Sequence, residues 1–428
     1  MSFLADRSAV SVGLGGVVSL TSGNTQVFNP ASLFSGGEQG VWYDPSDLTT
    51  LYQDAAGTIA VTGMEQPVGK MLDKSGRGNH VTNVGGDGAP ATRPTISARV
   101  NLLTKTEDFN DDAWAKDNAA ITTGVTDPLG GTTAVTITAT GTGVLHEVYQ
   151  LSTGSGRTQT IWLRRRTGTG DVRSYVDDAY VNWGSLTSTW QQFSITQASA
   201  SPSYFLIGLL SDGDAVDVWH PDLRVSNSGV NLPTYQRVNT STDYDATGFP
   251  IYLKFNGTNT AMQSENTVDM TASDKVTVWN GVRKLAETAV LYLVAIGTAT
   301  SNGSFRLISI YVAGTRNAPA FVSRGTSNSQ ASAISMAFPA PLSMVLCGIG
   351  DIGGDISAIR TNGSLFAQNA IDQGTGNYGN YTMYLGVRSD SLFYFNGYFY
   401  GAIVRGGQST NDQVISGENY MNGKTKAY

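Results

Sequence analysis

The sequence predicts an all-β protein built as sandwiches, on three observations. Only 14% of its 428 residues are charged, while 50 are glycine, a balance that suits many short strands joined by tight turns. Apolar residues alternate with polar ones at period two over short runs, as in Ile161, Leu163 and Arg165 against Trp162, Arg164 and Arg166. Turn pairs such as Asn256-Gly257, Asn302-Gly303 and Asn362-Gly363 punctuate these runs. A chain of this length has room for two or three domains.

Residues 1–37 show no core of their own. Val10–Gly16 alternates weakly and glycines interrupt it, so the segment reads as an assembly arm that docks on another subunit or another protein. The apolar run Ala9–Leu20 is too short and glycine-rich to span a bilayer, and no small-residue cleavage site follows it. Gly40–His80 begins with Trp42-Tyr43 and the turn Asp44-Pro45-Ser46-Asp47, then closes on the polar turn Asp73–His80. Strands are expected at Tyr252–Phe255, Asp274–Arg283, Ala289–Ile296, Ser304–Tyr311, Met344–Ile349, Asp355–Thr361, Tyr381–Val387 and Tyr398–Arg405. Ser409–Met421 reads as a short helix, capped by Ser409 or Thr410, with Val414, Ile415 and Tyr420 facing the sheet.

The residues Trp42–Leu48, followed by Asp73–His80 and Arg93-Pro94, resemble the opening of laminin-G-like, concanavalin-A-type domains in bacteriophage virion proteins. In such domains a strand soon follows the Arg-Pro pair. Here the corresponding stretch is Tyr252–Asn259, and Asn396–Val404 resembles the family's late strand. The material between is similar to carbohydrate-binding-module-like jelly rolls, in Asn101–Trp114, Gln159–Arg164, Thr189–Ser194 and Gly213–Trp219. The resemblance implies a concanavalin-A-like sandwich (residues 38–98 and 236–428) interrupted by a jelly-roll sandwich (residues 99–235). It also implies a non-enzymatic virion surface protein, a tail fibre, tail appendage or capsid decoration, that binds host-surface glycans. A homotrimer is expected, with residues 1–37 engaging other virion proteins. A purely structural virion connector and a polysaccharide depolymerase are the alternatives.

Charge and chemistry narrow the field. With a net charge of −7 and no basic block, nucleic acid is not an expected partner. The single cysteine, Cys347, excludes an intrachain disulfide. Neither a nucleophile elbow nor a phosphate loop is present. The acids Asp108, Asp111, Asp112, Asp177 and Asp178 carry no spacing that marks a glycosidase pair.

Sugars stack on aromatic rings while polar groups take their hydroxyls. Tyr175, Tyr180 and Trp183 are therefore the candidate ligand-binding residues, with Trp183 the expected exposed ring in a loop-like Asn-Trp-Gly setting. Trp162, Trp190 and Trp219 read as core. Arg164-Arg165-Arg166 reads as an edge strand guarded by charge. No cofactor is required. Asp44, Asp47, Asp73 and Asn79 are hard oxygen ligands in turns, candidates for Ca²⁺, with turn-stabilising contacts as their other reading.

Overall fold

Strands from both ends of the chain share two sheets. The computed structural model describes residues 28–428 other than 144, 200–202, 288–289 and 334. Residues 1–27, most of the expected arm, lie outside the described residues. A nine-stranded antiparallel sheet contains Leu51–Tyr52, Lys70–Met71 and Val81–Asn83 beside strands from Met262 onward. An eight-stranded sheet contains Gln39–Tyr43 and Thr95–Ser97 beside Tyr252–Asn256, Lys275–Lys284, Leu342–Asp351 and Asn396–Gly406. Val41 pairs with Val404 and Trp42 with Ile403, so the first strand lies against the last. One buried cluster joins Val41, Tyr43, Met71 and Ile96 to Phe255, Val278, Leu293, Phe321 and Phe399. Asn362-Gly363 makes the two-residue hairpin between Ile356–Thr361 and Ser364–Asn369, both residues at positive φ.

Two elements differ from expectation. Residues 28–37 do not all behave as an arm. Asn29 caps a 3₁₀ turn at Pro30–Phe34, and Leu33 and Phe34 are buried on the outer face of the eight-stranded sheet against Trp42 and Trp279. Two apolar side chains with a sheet face within reach bury there because exposure would forfeit their transfer free energy. The C-terminal helix spans Asn411–Thr425, with Thr410 and Gln413 forming a reciprocal capping box. Val414 and Met421 face the sheet, but Ile415 is 40% exposed. The face is set by Val414, Gly417 and Met421, at spacings of three and four, which leaves Ile415 turned to solvent.

Among the described residues the strands between pair only among themselves, in two five-stranded sheets. One runs in the order Gln191–Gln197, Arg157–Thr167, Ala215–Val225, Ala134–Ala139, Ala119–Val125. The other runs Ala179–Asn182, Val172–Val176, Tyr204–Leu209, His146–Leu151, Ala115–Asp117. Ile161, Leu163, Val216, Val218, Phe205 and Ile207 fill the space between them. Arg157–Thr167 is therefore an interior strand, not a guarded edge. Its Arg164 and Arg166 point to one face and meet Asp217 of the neighbouring strand. Trp162, Trp190 and Trp219 sit on that outer face with Val125 and Ala134, rather than in the central core.

Entry to and exit from this body are zipped together. The buried Gln236 accepts from the backbone N–H groups of Val100 and Asn101 and donates to the Ala98 carbonyl. Asn101, equally buried, donates to the carbonyls of Pro221 and Gln236. Ala98, Val238, Tyr244 and Phe249 pack beside them. A surface-loop insertion needs neighbouring ends of this kind.

His220 falls in a bulge, because His220 and Pro221 together oppose one residue of the partner strand. Its φ is 52°, and its ring stacks between Trp219 at 3.3 Å and Tyr235 at 3.6 Å. Burial holds it to about 4, against an ordinary 6.5, although Asp127 pulls the other way. A histidine depressed on folding contributes full stability above pH 6.5 and loses it as pH falls toward 4. Urea unfolding of His220→Phe should lack this component: its free-energy difference from wild type should shift between pH 7 and 4 in the variant's favour. A pH-independent difference would place the titration elsewhere.

Candidate functional site

The outer face of the second five-stranded sheet carries a continuous row of tyrosines. Alternation places them there: Val172, Val176, Val148, Phe205 and Ile207 point inward, which turns Tyr175, Tyr149 and Tyr204 outward. Tyr175 is paired in register with Tyr180 on one side and Tyr204 on the other. Ring centroids lie 5.0 Å apart for Tyr175 and Tyr180, 5.8 Å for Tyr175 and Tyr204, and 5.2 Å for Tyr204 and Tyr149. Four rings on four adjacent strands make a strip about 14 Å long at the usual strand spacing. That length suits an oligosaccharide rather than one sugar.

Polar groups flank the rings. The Arg173 guanidinium lies 3.7 Å from the centre of the Tyr180 ring, and its Nε is buried without a partner. Tyr180 Oη donates to Glu147 Oε1 at 2.9 Å, and Arg173 Nη2 is 3.9 Å from the same oxygen. Tyr175 Oη donates to Asp178 Oδ1 at 2.7 Å. Burial, then the Glu147 bond, pushes the Tyr180 phenol above its ordinary value; the Asp178 bond chiefly does so for Tyr175. Burial, then the Asp117 charge, raises Tyr149. These three phenols therefore stay protonated at neutral pH; with the Tyr175 and Tyr180 protons given to Asp178 and Glu147, those two oxygens remain as acceptors.

Of the three ring residues expected from sequence, the structure brings Tyr175 and Tyr180 together and removes Trp183. Trp183 is 4% exposed, packed among the core side chains, with its Nε1 donating to the Leu206 carbonyl at 2.9 Å. A ring closed on both faces has none left for a sugar. The loop-like setting misleads because Trp183 still follows the strand: its N–H donates to the Val172 carbonyl, and with Tyr180 on the outer face, alternation puts Trp183 on the inner one. Tyr204, Tyr149, Arg173 and Glu147 were missed. The signal for them was the period-two alternation of Glu147-Val148-Tyr149 and Arg173-Ser174-Tyr175.

The expected calcium ligands do not converge on an ion. Asp44, 4% exposed, binds Lys424 Nζ at 3.0 and 3.1 Å and accepts from Tyr420 Oη and Ser46. Asp47 takes Lys74 Nζ at 2.6 Å. Ammonium groups thus stand where a cation would. Asp73 accepts from the N–H groups of Trp42, Ser75 and Asn79 and from the Ser75 hydroxyl, which fills its acceptor positions. Asn79 Nδ2 donates to the Gly40 carbonyl. This donor set fits turn stabilisation and does not fit Ca²⁺. Among the described residues no group of three or more His, Cys, Asp or Glu side chains is placed to hold a metal.

No family model and no curated protein matches the chain. Solved structures with some likeness include the carbohydrate-binding module (CBM40) of the Ruminococcus gnavus IT-sialidase bound to α2,3 sialyllactose. It is 17% identical over 33% of this chain and 80% of that chain, with a TM-score of 0.27. The heptameric SAP-like pentraxin of Limulus polyphemus is 17% identical over 39% of this chain and 80% of that chain, at 0.30. The leech intramolecular trans-sialidase is 12% identical over 39% of this chain and 28% of that chain, at 0.28. These values assign no ligand to this chain.

Proposed function

We propose that the protein is a non-enzymatic glycan-binding component of a bacteriophage particle, which holds an oligosaccharide along the tyrosine strip. The strip carries this reading: four adjoining rings on one sheet face, flanked by Arg173, Glu147 and Asp178, combine apolar platforms with hydroxyl partners. The virion role, the homotrimer and the engagement of other virion proteins through residues 1–37 rest on the sequence resemblance to phage laminin-G-like proteins.

Glycan-array binding followed by calorimetry tests the site. Tyr175→Ala and Tyr204→Ala are expected each to weaken binding roughly tenfold or more, whereas Trp183→Phe should leave affinity unchanged. Binding that survives both tyrosine changes would place the site elsewhere. Light scattering should give three times the 45.3 kDa chain mass, and particle proteomics should find the protein in purified virions. A monomer, or absence from particles, overturns those parts.

A further inference from the structure

The opposite five-stranded sheet presents a second constellation. The Asp217 side chain is 2% exposed and sits between two arginines of the adjacent strand. Its Oδ2 takes Arg164 Nε at 2.6 Å and Arg166 Nη2 at 3.1 Å; its Oδ1 takes Arg166 Nε at 2.7 Å and the Thr136 hydroxyl at 2.6 Å. A carboxylate has about four acceptor positions, so Asp217 is saturated. Two guanidinium charges against one carboxylate leave one positive charge over. Among the described residues no second carboxylate pairs with either arginine. Among the described residues Arg164 Nη2 reaches only the Thr126 carbonyl at 3.4 Å, and Nη1 of each arginine has no acceptor. Both side chains line an open cleft of about 450 Å³ whose wall carries Thr122, Thr126 and Thr138. The Arg164 guanidinium also stacks 4.8 Å from the Trp190 ring, which fixes its plane.

We propose that this cleft binds the carboxylate of an acidic sugar residue, a hexuronic or nonulosonic acid, as a site separate from the tyrosine strip. One surplus positive charge matches a monoanion, whereas a phosphate dianion would remain half neutralised. Two forks fixed by a buried carboxylate suit the planar, two-oxygen geometry of a carboxylate. Threonine hydroxyls on the wall are partners for sugar hydroxyls rather than for a peptide chain.

Calorimetry on the full chain tests it, with oligosaccharides bearing galacturonic, glucuronic or sialic acid, each beside its methyl ester. Affinity should fall roughly ten- to a hundredfold on esterification, the worth of a charge-assisted hydrogen bond. Arg166→Gln should cause the same loss, and its fold should hold because Arg164 and Thr136 still serve Asp217. Thr122→Trp, at an exposed position, should block the cleft without touching the arginines. Tyr204→Ala should leave the ester discrimination intact, which separates this site from the strip. Equal binding of acid and ester, no acid bound at millimolar concentration, unchanged affinity in both cleft variants, or equal binding of polyglutamate would each overturn the proposal.

Discussion

Replacing Trp279 with alanine is expected to destabilise the protein by about 3–5 kcal/mol and to release the C-terminal helix. The indole is fully buried and joins Leu33, Phe34, Trp42, Val414 and Met421 in one cluster. It therefore ties together the first described segment, a central strand and the last helix. Its Nε1 donates to the Val414 carbonyl at 3.0 Å, a bond that an alanine cannot make. The helix approaches so closely that a Cβ on Gly417 would come within 2.5 Å of that nitrogen. Truncation leaves a cavity that this crowded, multi-element contact cannot close without moving the helix. Urea denaturation should show a lower midpoint at unchanged slope, and trypsin should cut earlier at Lys424. A loss below about 1 kcal/mol, in the range of an ordinary exposed site, would mean that the helix docks by other contacts.

Arg283→Met is expected to cost about 2–4 kcal/mol, the worth of its three charge-assisted hydrogen bonds partly offset by removing a buried charge. Arg283 is 2% exposed and has no carboxylate partner among the described residues. Its guanidinium donates instead to the carbonyls of Ser226 and Asn227, just past the last jelly-roll strand, and to the Ser343 hydroxyl. Burial lowers its affinity for a proton, though it remains a cation at any working pH. Methionine keeps the volume and the apolar stem while deleting the five donors. Hydrogen exchange should accelerate at residues 226–230, where the chain leaves one body for the other, before it does so inside either core. Unchanged exchange there would show that the Gln236 and Asn101 bonds suffice to hold the junction.

How much of this was readable beforehand differs by element. The all-β class follows from alternation and turn chemistry, both local properties: a residue's face depends only on its parity along the strand. The Thr410–Gln413 capping box is also local, since both partners lie within one turn. The same parity turned Tyr175 outward, although not Tyr204 or Tyr149 toward it. That alignment depends on which strands are neighbours and in what register, and those pairings join residues 29 to 63 positions apart. Arg164 and Arg166 show the limit clearly. Sequence gives their shared face, but Asp217 lies 53 and 51 residues away, and only strand order sets it between them. Trp183 failed for a related reason, because polar neighbours describe the backbone's path and not the direction of the ring. Local patterning therefore decided the elements and their faces, where each choice involves a few adjacent dihedrals. Tertiary structure decided which faces met, because those contacts depend on closing long loops around a shared interior.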